Sequence, residues 1–347
     1  MSAPFARASD EARRSLIRAV ENLLAVTVGA DAMPEMRRLR RAWTPSPGPA
    51  TLLGTSRRVA VESAVWLNGA AGVSTERDEG NRYSKGHPAA QTVPAVLALA
   101  EARDIAGDRL WDALYVAYEV AARIGRATTF RPGVHTHGPL GAVGAAAGCS
   151  VLLGADADEA ARAIATGATM APAASWHPVL NGSAVRDQWV GQGALAGLAA
   201  ARFSAAGLAA DPDGLAADLG GLGAIDPDAV IPGLGDESLV TTSYLKQHSA
   251  CAYTHGPADA ALLVSARMVA AGVDLDDIVS VRVEGVASAA SLPATSWDSR
   301  HGAYFSVPFA VASALCFGDV SAERSDVPPR PRLARIAAVV SVTDATA

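Results

Sequence analysis

Aromatic residues make up only 5% of this 347-residue chain and charged residues only 18%, although half of it is hydrophobic. With so little Phe, Trp and Tyr, the apolar mass is Ala, Val and Leu, which favours closely packed helices over extensive sheet. Long apolar runs are missing too. No stretch approaches the ~18 residues that a membrane-crossing helix needs, so no membrane partner is expected. Net charge is −6, and no Arg/Lys stripe is interleaved with aromatics, which argues against nucleic acid. Cysteine is scarce: Cys149, Cys251 and Cys316 are odd in number, widely spaced and without a CxxC. That pattern speaks against a disulfide framework or a structural zinc site and for a reducing cytoplasm. The N-terminus lacks an apolar signal core and reads as a short tail before a helix.

What the chain does have is one dense polar segment, Thr75–His87 (TERDEGNRYSKGH). It gathers Glu76, Asp78, Glu79, Asn81, Arg82, Lys85 and His87 between two apolar stretches, Val61–Val73 and Thr92–Ala102. A generic charged connection between helices is a solvated loop. One pinned between two buried helices is a good place to hold acid–base groups still.

The rest of the first part of the chain carries helical patterns. Helices are expected over Ser9–Val28, Met33–Trp43, Arg57–Gly69, Thr92–Ala102 (Pro94 in its first turn), Asp108–Thr129, Leu140–Leu153, Asp158–Thr169 and Gln192–Ala206. Thr44–Pro49 reads as a turn and Asp211–Pro232 as a Gly/Asp/Pro-rich boundary region. Later the character changes. Helices over Ala258–Ala271 and Phe305–Phe317 accompany alternating, strand-like runs at Ile278–Gly285 and Ile336–Thr343. The expected fold is therefore mainly α: a helical domain over residues 1–240 and a smaller α+β domain over 241–347.

The histidines cluster with other polar groups: His87 after the acidic loop, His135 and His137 in GVHTHG, and His248 and His255 with Lys246 and Cys251 in YLKQHSACAYTHG. His135-x-His137 with Asp78 or Glu79 offers metal-ligand types, but without HExxH, a Cys pair or a third local ligand. No metal is expected. Cys251 beside Lys246 and His248 could be an activated nucleophile; a buried small hydrophobe is the plainer reading. No GxSxG occurs, and the Gly-rich GPLGAVGAAAG follows no expected strand, so neither a serine hydrolase nor a dinucleotide cofactor is indicated. Arg186 and Lys246 are cations without local acidic partners apart from Asp187. Neutral imidazoles near such cations suit removal of a proton next to a carboxylate, because positive charge stabilises the enediolate that forms.

The combination LNGAAG, ERDEGN, GHPAAQTVPAVLALAEA, GVHTHGPLGAVGAAA, VRDQWVGQGALAGLAAARFSAAGL and YLKQHSACAYTHGPADAAL, in this order, resembles the MmgE/PrpD family. Its members include 2-methylcitrate dehydratase, cis-aconitate decarboxylase and iminodisuccinate epimerase. The resemblance implies a large helical domain, a smaller lid that here is short at its C-terminus, a homodimer, and an active site between the two lobes. It also implies a small carboxylate substrate and no cofactor.

By the same resemblance His87 and His135 are active-site histidines, Asp78 (then Glu79) the loop acid, and Lys246 the lysine that faces substrate carboxylates. Asn81, His137, Arg186 and Cys251 complete the substrate-binding set. Three departures stand out: ERDEGN in place of a paired-Asp motif, Arg186 in place of a lysine, and Cys251 in place of a lid histidine. The first two resemble the epimerase-like branch. The expected activity is a cofactor-independent lyase in which His135 removes the α-proton and His87, supported by Asp78, protonates the leaving group. An epimerase of an iminodisuccinate-like acid and an inactive binding subunit are the alternatives.

Overall fold

The computed structural model describes residues 4–345. It is mainly α-helical, with sixteen α-helices and only two-stranded sheets among the described residues. Part of the expected N-terminal tail, residues 1–3, lies outside the described residues. The next four, Pro4–Arg7, form a helical turn rather than a tail. Phe5 anchors it, stacking on Trp111 with ring centroids 5.3 Å apart while its backbone N–H donates to Asp112 at 2.8 Å. The following helix, Asp10–Gly29, starts where Ser9 accepts the Ala12 N–H, with Asp10 and Glu11 in its first turn.

The chain forms two compact units that are not contiguous in sequence. The first takes in the chain up to Ser74, then Asp78–Ser175 and Arg186–Leu245; the second takes in Thr75–Arg77, Trp176–Val185 and the chain from Lys246. The first unit is built on helices Val61–Val73, Pro88–Ala102, Asp108–Ala127 and Pro139–Leu153, whose buried Ala, Val and Leu side chains form one continuous core. Pro139–Leu153 is buried nearly all round, as a helix with apolar or small residues on every face must be.

Several expected boundaries move. Pro88, not Thr92, opens the helix that runs to Ala102, so Pro94 sits inside it rather than in its first turn. Proline pre-set for the first helical position accounts for the earlier start. The helix expected from Gln192 begins at Val185, which puts Arg186 and Asp187 on its first turn. The helix expected over Arg57–Gly69 is displaced to Val61–Val73, because Arg58–Val59 pairs with Pro47–Thr51 as a short ribbon. Thr44–Pro49 thus runs into a strand, and Gly223–Ile225, in the region expected to be least regular, pairs with Thr128–Phe130. Ribbons of two or three residues are too short to show alternation, which is why the sequence does not announce them.

Helix Val185–Ala205 comes so close to the turn at Gly138 that a Cβ on Gly193 would overlap the Gly138 backbone. Gly138 itself has φ +97, a conformation open to glycine. Gly193→Ala is expected to destabilise the protein by about 1–3 kcal/mol, the usual effect of overpacking, read as a lower urea midpoint at unchanged m.

In the second unit, helix His255–Ala271 packs on Val307–Phe317, and strand Val281–Gly285 pairs in parallel with Val340–Asp344. The last strand begins later than expected. Pro331 starts a helix through Ala338 that buries Leu333, Ile336 and Ala337, the i, i+3, i+4 spacing of a helix face. No helix among the described residues is long and apolar enough to cross a membrane.

Candidate active site

Two polar side chains of the loop, Lys85 and Asn81, are bound to the surrounding fold. Lys85 donates to the carbonyls of Gly125, Arg126 and Thr128 at 3.2, 3.0 and 2.7 Å, where a cation favours the C-terminal end of helix Asp108–Ala127. Gly80–Asn81 pairs with Ser243–Tyr244. The Asn81 side chain donates to the Leu239 carbonyl at 2.8 Å and accepts from the Ser84 N–H at 3.1 Å, so this amide staples the loop.

Asp78 and Glu79, both fully buried, lie beside His87, which flanks helix Pro88–Ala102 at its start. His87 Nδ1 lies 2.7 Å from the Glu79 carbonyl oxygen and 2.8 Å from Asp78 Oδ2. Both neighbours are acceptors. In the neutral ring Nδ1 therefore carries the hydrogen and Nε2 the lone pair. The Glu79 carboxyl is held separately, accepting from Tyr118 OH at 2.6 Å and from the Ala89 N–H at 3.2 Å. Burial pushes Glu79 up to about 7, against the pull of Tyr118 and His87 toward lower values. Tyr118 is itself raised well above its ordinary value, first by burial and then by Glu79.

His135 and His137 come from the turn between strand Thr128–Phe130 and helix Pro139–Leu153. The His135 N–H donates to the Ala174 carbonyl at 3.0 Å, and Gln91 donates to the Thr136 carbonyl at 2.8 Å. The His137 N–H donates to His135 Nδ1 at 3.1 Å. His135 Nδ1 is thus an acceptor, and in the neutral ring the hydrogen sits on Nε2, the reverse of His87. The His137 ring stands edge-to-face between the other two, its centroid 4.7 Å from His87 and 4.5 Å from His135. Trp189 packs beside His135 at 5.5 Å.

Arg186 closes the array. It is the largest fully buried side chain, donating to the Val73 carbonyl at 3.1 Å and to Asp187 at 3.2 Å, with Nη2 3.5 Å from His137 Nε2. Asp78, His87 and His137 bring potential metal-ligand atoms within 4.8 Å of one another. Beside them the Arg186 guanidinium is paired with Asp187, both side chains buried.

Of the residues singled out from the sequence, the first unit thus brings together Asp78, His87, His135, His137 and Arg186. Lys246 and Cys251 belong to the second unit. Lys246 donates to Glu76 at 2.7 Å, both side chains buried. Cys251 is buried, its N–H bonded to the Tyr304 carbonyl at 2.9 Å. Near it His248 pairs with Asp259 at 2.8 Å, and burial pushes His255 down to about 4. Glu76, Tyr118, Asp187 and Trp189 escaped attention in the sequence as site residues. Only the acid density of the loop and the adjacency of Asp187 to Arg186 hinted at any of them.

The N-terminal domain of the MmgE/PrpD family matches residues 1–229 and its C-terminal domain matches residues 248–347. The chain belongs to this family, whose members are generally enzymes of the dehydratase and lyase kind. No curated protein matches the chain significantly.

Proposed function

We propose that this protein is a cofactor-independent lyase that removes a proton next to a carboxylate of a small polycarboxylate or related acid. The observation that carries the reading is an imidazole whose Nδ1 faces Asp78 and the Glu79 carbonyl, close to a histidine turn in which His135 Nδ1 accepts a backbone N–H, beside a buried guanidinium; these contacts imply opposite tautomers. The tautomers favour a reversal of the roles expected from the resemblance. His87 offers the Nε2 lone pair and acts as base, its developing positive charge stabilised by Asp78. His135 presents Nε2–H and acts as donor to the leaving group. In a dehydration, His87 takes the α-hydrogen, the electron pair forms the alkene, and the departing hydroxyl takes the His135 proton and leaves as water. Arg186 supplies the fixed positive charge for the enediolate.

A second reading, epimerisation, is favoured by the same opposite tautomers, since one imidazole can remove a proton while another returns one. Turnover in D₂O separates the two. A lyase yields an alkene; an epimerase incorporates deuterium at the α-carbon with no loss of water or CO₂. Binding of di- and tricarboxylates with neither outcome would overturn both and leave a binding subunit.

A further inference from the structure

Gln91 ties together the two stretches of chain that carry the paired imidazoles. It lies near the start of helix Pro88–Ala102, where its backbone N–H donates to the His87 carbonyl at 3.0 Å. Its side-chain Nε2 donates at 2.8 Å to the Thr136 carbonyl, which lies between His135 and His137. The side chain is fully buried, and its Oε1 has no protein partner among the described residues. The amide therefore gives the fold one hydrogen bond, and that bond goes to the histidine turn. The turn is also gripped at Val134, bridged to Ser175, and at the His135 N–H, bonded to Ala174. Both of those ties act at or before His135.

We propose that Gln91 is a positioning residue that sets the tautomer of His135. This rests on the reading above, in which His135 acts as donor through Nε2–H. The Thr136 carbonyl and the His137 N–H belong to one planar trans peptide unit, so they point in opposite directions. Drawing the carbonyl to Gln91 aims the N–H at His135 Nδ1, 3.1 Å away. With Nδ1 accepting, the hydrogen of the neutral ring sits on Nε2. Turned over, the same peptide would present its carbonyl to Nδ1. The hydrogen would then move to Nδ1, and His135 would have no Nε2–H to give to a leaving group. One buried amide thus decides whether the second imidazole is a donor or an acceptor at the atom it offers.

The test is nitrogen NMR of the full chain labelled with ¹⁵N-histidine, at a pH of about 8 where an ordinary imidazole is neutral. Spectra of His87→Gln and His135→Gln assign the two rings. Wild type should show hydrogen on Nε2 of His135 and on Nδ1 of His87. Gln91→Met keeps the length of the side chain but has no donor. In it the two His135 nitrogen resonances should move toward each other as the Nδ1–H form becomes populated. Those of His87 should stay at their wild-type positions, because its Nδ1 faces Asp78 and the Glu79 carbonyl and not this peptide. If Gln91→Met does not fold, Gln91→Ala takes its place, with the same expected shift. Unchanged His135 resonances in a folded variant would overturn the inference, and so would equal movement at both rings, the mark of general loosening. The same tautomer on both rings in wild type would overturn the inference and the reading beneath it together. None of these readouts needs turnover, so the proton-transfer reading fails separately if His87→Gln keeps full activity.

Discussion

His87→Gln is expected to lower kcat by about 10²–10⁴, the usual contribution of a positioned acid–base group. Glutamine can still donate toward the Glu79 carbonyl, so the loop should keep its shape, but it has no basic lone pair to replace Nε2. His135→Gln should lose less, because the glutamine amide retains an N–H that can be presented where Nε2–H stood. The two variants therefore separate the roles by rank. A larger loss in His135→Gln than in His87→Gln would return the base role to His135, as the resemblance alone implies.

Glu79→Gln is expected to remove a pH dependence of stability of about 3 kcal/mol. Burial raises the Glu79 pKa from 4.5 to about 7. Between those values the folded protein keeps a proton that the unfolded chain has released. Stability from this group is therefore whole below 4.5 and falls as pH rises toward 7. Glutamine imitates the protonated acid and has nothing to lose. Urea unfolding from pH 4.5 to 8 should show wild type losing ground steadily to Glu79→Gln, with parallel curves as the contrary result. His255 works in the opposite direction: lowered from 6.5 to about 4, it adds stability as pH rises through that window. It is present in both proteins and drops out of their difference.

The same residues show how much was legible beforehand. His87 ahead of Pro88, and His135 and His137 in one turn, stood out because histidines in Gly- and Pro-punctuated loops are rarely packing residues. The acidic loop stood out because its charges lay between apolar runs. Asp78 was ranked ahead of Glu79 as the acid beside His87 by the resemblance alone, since the two are adjacent and chemically alike. Only the fold turns Asp78 to His87 and the Glu79 carboxyl to Tyr118, 39 residues away. Arg186 was visible as a cation, but the earlier start of its helix, and so its contacts with Val73 and His137, was hidden by a Gly-rich pattern without a clear polar face. Glu76 was read as one more loop acid; its partner Lys246 lies 170 residues on.

Composition and periodicity by themselves determined a mainly helical, Ala/Val/Leu-cored protein with a strand-bearing final third, because helix periodicity and side-chain size act locally along the chain. They also identified the residue types able to move a proton. Tertiary structure alone decided which imidazole nitrogen carries hydrogen, which carboxyl is pushed toward neutrality and which cation arrives already paired. Those properties depend on burial and on how partner atoms are placed about each group, some from neighbouring residues and some from far along the chain, and no local pattern encodes that placement.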